Sequence, residues 1–147
     1  MFNLENVIEG IEKWGMKLPD SFVEFVNSGK TENNLPQCFY GYGSGNRNKV
    51  CYFIEKYCKS IADINFAMHS LGNKAHTSAK DKRELVPIAR CRDGYYLCLD
   101  YRYDDLKPRV VIYDRSTSKK FVPTTFFVTE TFDEFVASLK SPYPAQN

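Results

Sequence analysis

Apolar side chains recur at intervals of three and four residues in four segments of the chain, and this spacing predicts four helices. The segments are 3–15, 18–29, about 60–71 and 131–139. Asn3 caps the first and Gly15 ends it, while Pro19 suits the first turn of the second. Thr131 caps the last helix, and Glu134 three residues later completes a capping box.

Between these helices, short runs rich in β-branched and aromatic residues predict strands. The runs are 38–42, 50–54, 84–92, 94–101, 109–114 and 121–125. Asp93–Gly94 predicts a tight turn between the third and fourth strands, and Pro123 favours an edge position for the last one. Because consecutive strands are joined by short turns, we expect antiparallel pairing.

The order of these elements predicts an α+β fold. We expect a mainly antiparallel sheet of about five to six strands, with the N-terminal, middle and C-terminal helices packed against it. A chain of 147 residues fits one domain, which we expect to span 1–147 with a core at about 3–140. The polar segment 73–84 is predicted to be a mobile surface connection.

The composition is typical of a soluble protein of nearly balanced charge. The formal net charge is +2, which does not favour direct nucleic-acid binding. No segment approaches the roughly 20 apolar residues of a membrane span, and no basic start followed by an apolar run indicates a signal peptide. Five cysteines without a CxxC pair favour reduced thiols, so we expect a cytoplasmic protein. We expect it to be a monomer or weak homodimer.

The sequence gives little support to catalysis, metal binding or a cofactor. The glycine-rich segment 41–45 lacks the spacing of a phosphate loop and is interpreted as a hairpin loop. His69 and His76 are too far apart on a helix to share one metal ion, and no cysteine pair has zinc-finger spacing. We therefore predict no catalytic residue, no metal and no cofactor. A small hydrolase that uses Cys58 or Cys98 with His69 is a less favoured alternative.

Alternation along the strand 94–101 predicts one apolar face under the helices and a second face that carries tyrosine and aspartate. Further residues of both types follow at the next turn, and another aspartate ends the neighbouring strand. The predicted contact residues are Tyr96, Asp100, Tyr103, Asp104, Asp105 and Asp114. An exposed Tyr/Asp cluster suits docking of a basic protein, although the near-neutral charge of the whole chain leaves the sign of the partner open.

Several motifs resemble those of the SUKH superfamily, and they occur in the expected order. The segment 18–26 is similar to its opening LPxx(Y/F)xxF helix, and 85–89 to a characteristic strand. The segment 94–100 resembles its GxhhxhD strand, 110–114 the next strand, and 131–139 its closing helix. The chain departs from the pattern at Tyr95, where relatives often have aspartate, and at 113–115, where an aromatic-x-His pattern is common.

This resemblance implies an α+β fold and a non-enzymatic binding function. Bacterial members of the superfamily largely act as immunity proteins, which bind a cognate toxin domain, such as a nuclease, and block it inside the cell. Eukaryotic relatives resemble regulatory scaffolds, so a regulatory protein-interaction module is the alternative. The departures at Tyr95 and at 113–115 affect the expected partner more than the expected fold.

Overall fold

A computed structural model describes residues 17–28, 37–43, 49–58, 63–64, 66–67, 85–104, 106–119 and 122–139. Its helices are α1 (Asp20–Asn27) and α2 (Phe132–Ser138). Its strands are β1 (Gln37–Tyr42), β2 (Lys49–Tyr57), β3 (Leu85–Cys91), β4 (Tyr95–Asp100), β5 (Arg109–Asp114) and β6 (Thr125–Thr129). The strands form one sheet in the order β1 to β6, and every neighbouring pair is antiparallel. The predicted α+β class is confirmed.

Two predicted helices are confirmed, and a third is seen in part. In α1, Phe22 and Phe25 lie one turn apart and are both buried. In α2, the Thr131 hydroxyl accepts a hydrogen bond from the Glu134 N–H, as expected of an N-cap. Residues 63–64 and 66–67 are helical, within the predicted segment 60–71. The predicted helix 3–15 and the connection 73–84 lie outside the described residues.

The turn between β3 and β4 adopts the backbone that its sequence predicts. Asp93 and Gly94 both have positive φ, 65° and 81°, and the Tyr95 N–H donates to the carbonyl oxygen of Arg92. Positive φ at both central residues defines a type I′ turn, whose twist matches that of the two strands it joins. Aspartate tolerates this region better than most residues and glycine has no Cβ to clash, so Asp-Gly fixes the β3–β4 register.

The last predicted strand is displaced in the sequence. The prediction was 121–125, but β6 runs from Thr125 to Thr129. Before it, Lys119 and Val122 exchange backbone hydrogen bonds, and the Thr124 N–H donates to the Ser118 hydroxyl. Pro123 has no N–H to offer a neighbouring strand, so regular pairing with β5 starts only after it.

The main core lies between the sheet and the two helices, and it consists largely of aromatic rings. The Phe132 ring centre lies 5.3 Å from that of Phe22 and 5.6 Å from that of Phe25, in edge-to-face geometry. Phe135 makes the same kind of contact with Phe39 of β1, at 5.1 Å. These pairs join both helices to the sheet through mutually favourable ring orientations.

The opposite face of the sheet is buried at its centre. Leu85, Cys98, Val111 and Tyr113 form a second apolar cluster there, and Tyr96 packs against its margin. The alternation along β4 therefore separates two buried surfaces. The prediction that one of them would be exposed is wrong for the central part of the sheet, because Cys98 and its neighbours across the strands are apolar and complete this second cluster.

The sheet bends until its first and last strands meet. A Cβ added to Gly41 of β1 would lie 3.0 Å from Cγ2 of Val128 and 3.5 Å from the carbonyl oxygen of Phe127, both in β6. On the face of the sheet that carries the second apolar cluster, the ring centres of Tyr42 and Phe127 lie 6.3 Å apart. Glycine at position 41 permits this approach because it has no side chain between the strands.

Candidate functional site

Asp100, one of the predicted contact residues, is buried beneath two arginines. It ends β4 and is 1% exposed. The Nε and Nη2 atoms of Arg102 each donate to it at 2.9 Å, one to either carboxylate oxygen, and Nη2 of Arg109 donates at 3.1 Å. The predicted exposure of Asp100 is wrong. Arg109 faces it directly on β5, so the carboxylate is neutralised inside the protein.

The electrostatic balance at Asp100 favours the charged form. Burial raises the pKa of the carboxyl group, but the hydrogen bonds and positive charge of Arg102, together with the hydrogen bond from Arg109, outweigh it. The pKa of Asp100 therefore lies below its usual value. This carboxylate holds two cations at the end of the sheet, and its contribution to a partner would be indirect.

Two other predicted aspartates stabilise turns. Asp114 is 8% exposed, so its predicted exposure is wrong as well. It accepts hydrogen bonds from the N–H and hydroxyl of Ser116 and from the hydroxyl of Thr117, which fix the turn after β5. Asp104 is exposed, and its Oδ1 accepts from the N–H groups of Leu106 and Lys107. Both use the ability of aspartate to satisfy backbone donors that follow it closely in sequence.

The remaining predicted residues differ in accessibility. Tyr103 is 72% exposed on the turn between β4 and β5, next to Asp104. Tyr96 is half-buried at the margin of the second apolar cluster. Asp105 lies outside the described residues. Of the six predicted residues, Tyr103 and Asp104 are thus the two that the structure places together and exposed.

Next to Tyr103, cations and aromatic rings form a continuous row that sequence reasoning missed. The guanidinium carbon of Arg109 lies 4.4 Å from the ring centre of Tyr103 and 5.7 Å from that of Phe127. Beyond Phe127 the row continues to Tyr42, over whose ring Nζ of Lys49 lies at 5.9 Å. We call these five residues the cation–ring strip. Each of the three cation–ring distances lies within the range of an attractive cation–π contact.

The strip depends on the meeting of β1 with β6. Tyr42 and Phe127 are 85 positions apart in sequence and belong to strands that are not neighbours in the sheet order. The pairing of Asp100 with Arg109 could have been anticipated, since both flank one short turn at the ends of predicted strands. No local pattern indicates the approach of β1 to β6, and this is why the strip was not predicted.

A groove of about 370 Å³ adjoins the same turn. Leu106 and Lys107 form one wall, while the segments 17–21 and 130–133, at the starts of the two helices, form the other. Leu106 is itself largely exposed. The surface around Tyr103 therefore combines the cation–ring strip, which includes the exposed Tyr103 ring, with an adjoining groove.

Comparison with known proteins identifies the family. The family model described as SMI1/KNR4 (SUKH-1) matches residues 3–138. The chain belongs to this family. A search of curated proteins and a search of solved structures gave no match. The resemblance drawn from the ordered motifs is confirmed, and the matched span includes α1, α2, the strands β1 to β6 and the cation–ring strip.

Cys58 and Cys98 of this SUKH-1 protein are poorly suited to nucleophilic attack. Burial, together with the charge of Asp63, raises the pKa of the Cys58 thiol to about 12. Cys98 is completely buried, and burial likewise raises its pKa well above the usual value. Both thiols are therefore almost fully protonated at neutral pH. Since the thiolate is the reactive form of cysteine, both react slowly. His69, their suggested partner, lies outside the described residues.

This protonation predicts slow alkylation of the native protein. At pH 8, we expect iodoacetamide to modify Cys58 and Cys98 at least about tenfold more slowly in the folded protein than in urea. Peptide mass spectrometry after timed quenching would measure each site separately, with Cys51, which is half-exposed, as an internal comparison. Rapid modification of native Cys58, accompanied by loss of a hydrolytic activity, would instead support the hydrolase alternative.

Within the described ranges, no three or more histidine, cysteine, aspartate or glutamate residues come together as a metal site would require. No helix in the described part of the chain has the length and apolar character needed to span a membrane.

Proposed function

We propose that this protein is an immunity protein: it binds a cognate bacterial toxin domain in the cytoplasm and blocks it without catalysing a reaction. The observation that carries this proposal is the SUKH-1 family match across residues 3–138. Immunity is the function that the superfamily resemblance implies for bacterial members. The protonated thiols of Cys58 and Cys98 add support, since they disfavour the cysteine-dependent hydrolase. We further propose that the chain acts as one domain.

The proposed contact surface is centred on the turn between β4 and β5. Tyr103 offers a large exposed ring with a hydroxyl group, a combination that is enriched at protein interfaces. Asp104 restrains the turn through its two backbone hydrogen bonds, which lowers the entropy lost on binding. Asp100 and Asp114 act indirectly, because each is buried and holds neighbouring residues in place. Steric occlusion of the toxin's active site is the proposed mechanism.

Co-expression with the product of the adjacent gene tests this function. We expect the chain to protect a bacterial host from the toxin domain that the neighbouring gene encodes, and the purified proteins to form a complex. Replacing Tyr103→Ala should raise the Kd of that complex roughly thirtyfold, equivalent to about 2 kcal/mol for an aromatic residue at the centre of an interface.

Phe66→Ala provides a matched control. Phe66 is 76% exposed, close to the exposure of Tyr103, but lies on the middle helix. We expect this variant to bind and protect like the wild type. Absence of protection and binding by the wild-type protein would contradict the immunity function. Capture of several unrelated host proteins by the same surface, without protection, would favour the regulatory-module alternative.

A further inference from the structure

We propose that the partner presents an acidic protein segment to the cation–ring strip. This inference rests on the proposed binding function and specifies the chemistry of the partner. It reverses the expectation of a basic partner, which followed from counting aspartates in the sequence. The reversal arises because two of those carboxylates, Asp100 and Asp114, are buried, and Asp104 is held in its turn by backbone hydrogen bonds. Lys49 and Lys107, by contrast, are exposed.

Among the described residues of the strip and its adjoining turn, cations outnumber carboxylates. In the strip and its adjoining turn, the described cations are Lys49, Arg102, Lys107 and Arg109, and the described carboxylates are Asp100 and Asp104. Asp100 is buried and already bound by two guanidinium groups, and Asp104 accepts two backbone hydrogen bonds. No salt bridge between described residues joins Lys49 or Lys107 to a carboxylate. Their charges are therefore available to a partner.

Arg109 links the buried carboxylate with this surface. Its side chain is 30% exposed, and its guanidinium group lies between the Tyr103 and Phe127 rings while one nitrogen binds Asp100. The Nε atom is buried and has no hydrogen-bond partner among the described residues. A guanidinium held between rings is preorganised, so a carboxylate that reaches its exposed edge gains a charge-assisted hydrogen bond with little further ordering.

The same geometry favours a protein over a nucleic acid. Single-stranded nucleic acids bind by stacking bases on open aromatic faces along a positive groove. In the strip, cations lie over the Tyr103, Phe127 and Tyr42 rings, and these cations compete with a base for the ring faces. Arginine and tyrosine in adjoining positions, with apolar Leu106 nearby, have the composition of a protein-binding hot spot. The partner is thus an acidic segment with an apolar anchor.

The test reverses two exposed charges without disturbing the buried arginines. We expect Lys49→Glu combined with Lys107→Glu to raise the Kd for the neighbouring gene's toxin domain about tenfold at low salt, with a smaller difference at high salt. Lys56→Glu is the matched control: Lys56 is exposed on the same strand as Lys49, about 23 Å away at 3.3 Å per residue. This control should retain the wild-type Kd.

A second measurement is independent of the toxin. Three fluorescent probes are compared in fluorescence anisotropy: a short peptide of alternating glutamate and leucine, the corresponding lysine peptide, and an oligothymidylate. We expect the glutamate peptide to bind most tightly and to lose this preference in the doubly substituted variant. Amide NMR shifts upon its addition should centre on Tyr42, Lys49, Tyr103 and Phe127.

The outcomes distinguish this inference from the proposed function. A wild-type protein that neutralises toxin, with an unchanged or lower Kd after the two lysine substitutions, would overturn the acidic-partner inference and leave immunity intact. Tighter binding of oligothymidylate than of the glutamate peptide would overturn it in favour of nucleic acid. Preference for the glutamate peptide without any binding of toxin would support the strip's chemistry and contradict immunity.

Discussion

Replacing Asp100→Ala should destabilise the protein by about 3 kcal/mol, because the change leaves two guanidinium groups without their shared carboxylate. The side chain of Asp100 is fully buried, and those of Arg102 and Arg109 are 13% and 30% exposed. Because both guanidinium groups are partly exposed, water can hydrate them when the carboxylate is removed. The expected destabilisation therefore lies at the low end of the range for broken buried ion pairs. Urea unfolding followed by circular dichroism would measure the effect.

Two companion variants separate charge from shape. Asp100→Asn keeps an oxygen acceptor of similar size, so we expect a smaller loss than for alanine. Asp104→Ala removes an exposed aspartate from the same turn and should cost no more than about 1 kcal/mol. Equal stability of Asp100→Ala and wild type would show that the ion-paired cluster does not stabilise the fold.

The same residue gives the protein a defined acid sensitivity. The pKa of Asp100 is lower in the folded than in the unfolded protein, so its contribution to stability is present above the unfolded value. That contribution is lost as the pH falls through the folded pKa. Between about pH 5 and pH 2, stability should therefore fall less in Asp100→Asn than in wild type.

The second large effect is expected at Phe132, where Phe132→Ala should cost about 3–5 kcal/mol. Its ring is buried between Phe22 and Phe25 of α1 and contacts Phe135, with centre separations of 5.3 to 5.6 Å. Alanine at this position opens a cavity at the junction of both helices, and well-packed rings cannot easily collapse into it. The midpoint of urea unfolding would fall accordingly.

Phe66→Ala is the corresponding control for this core prediction. It makes the same chemical change at a ring that is mostly exposed, and we expect a difference within about 0.5 kcal/mol of wild type. A loss below about 1 kcal/mol for Phe132→Ala would mean that α2 packs less firmly on α1 than the ring contacts indicate.

Local patterns were sufficient to predict most of the described fold. Helical spacing located α1 and α2, and Asp93–Gly94 located a turn because few other residue pairs adopt two positive φ angles. The start of β6 was misplaced because apolar content near Phe121 suggested a strand. Lys119 pairs instead with Val122, and Pro123 further delays regular pairing with β5. Tertiary hydrogen bonding thus decided the boundary against local propensity.

The candidate site was harder to predict, since exposure depends on what lies opposite each side chain. Asp100 was expected at the surface because aspartate in isolation favours water, but Arg109 on the next strand makes its burial tolerable. The exposure of Tyr103 could be predicted from its position in a turn. The cation–ring strip required knowledge that β1 meets β6, and this contact arises from the curvature of the whole sheet.

The approach of β1 to β6 at Gly41 also bears on self-association. In an open sheet, the two outer strands expose backbone N–H and C=O groups that can recruit a strand from another molecule. Here each outer strand shields the other where Gly41 meets Val128. A bulky residue at position 41 would separate them and create a template for intermolecular strand addition. We therefore expect glycine at this position to limit strand addition between molecules.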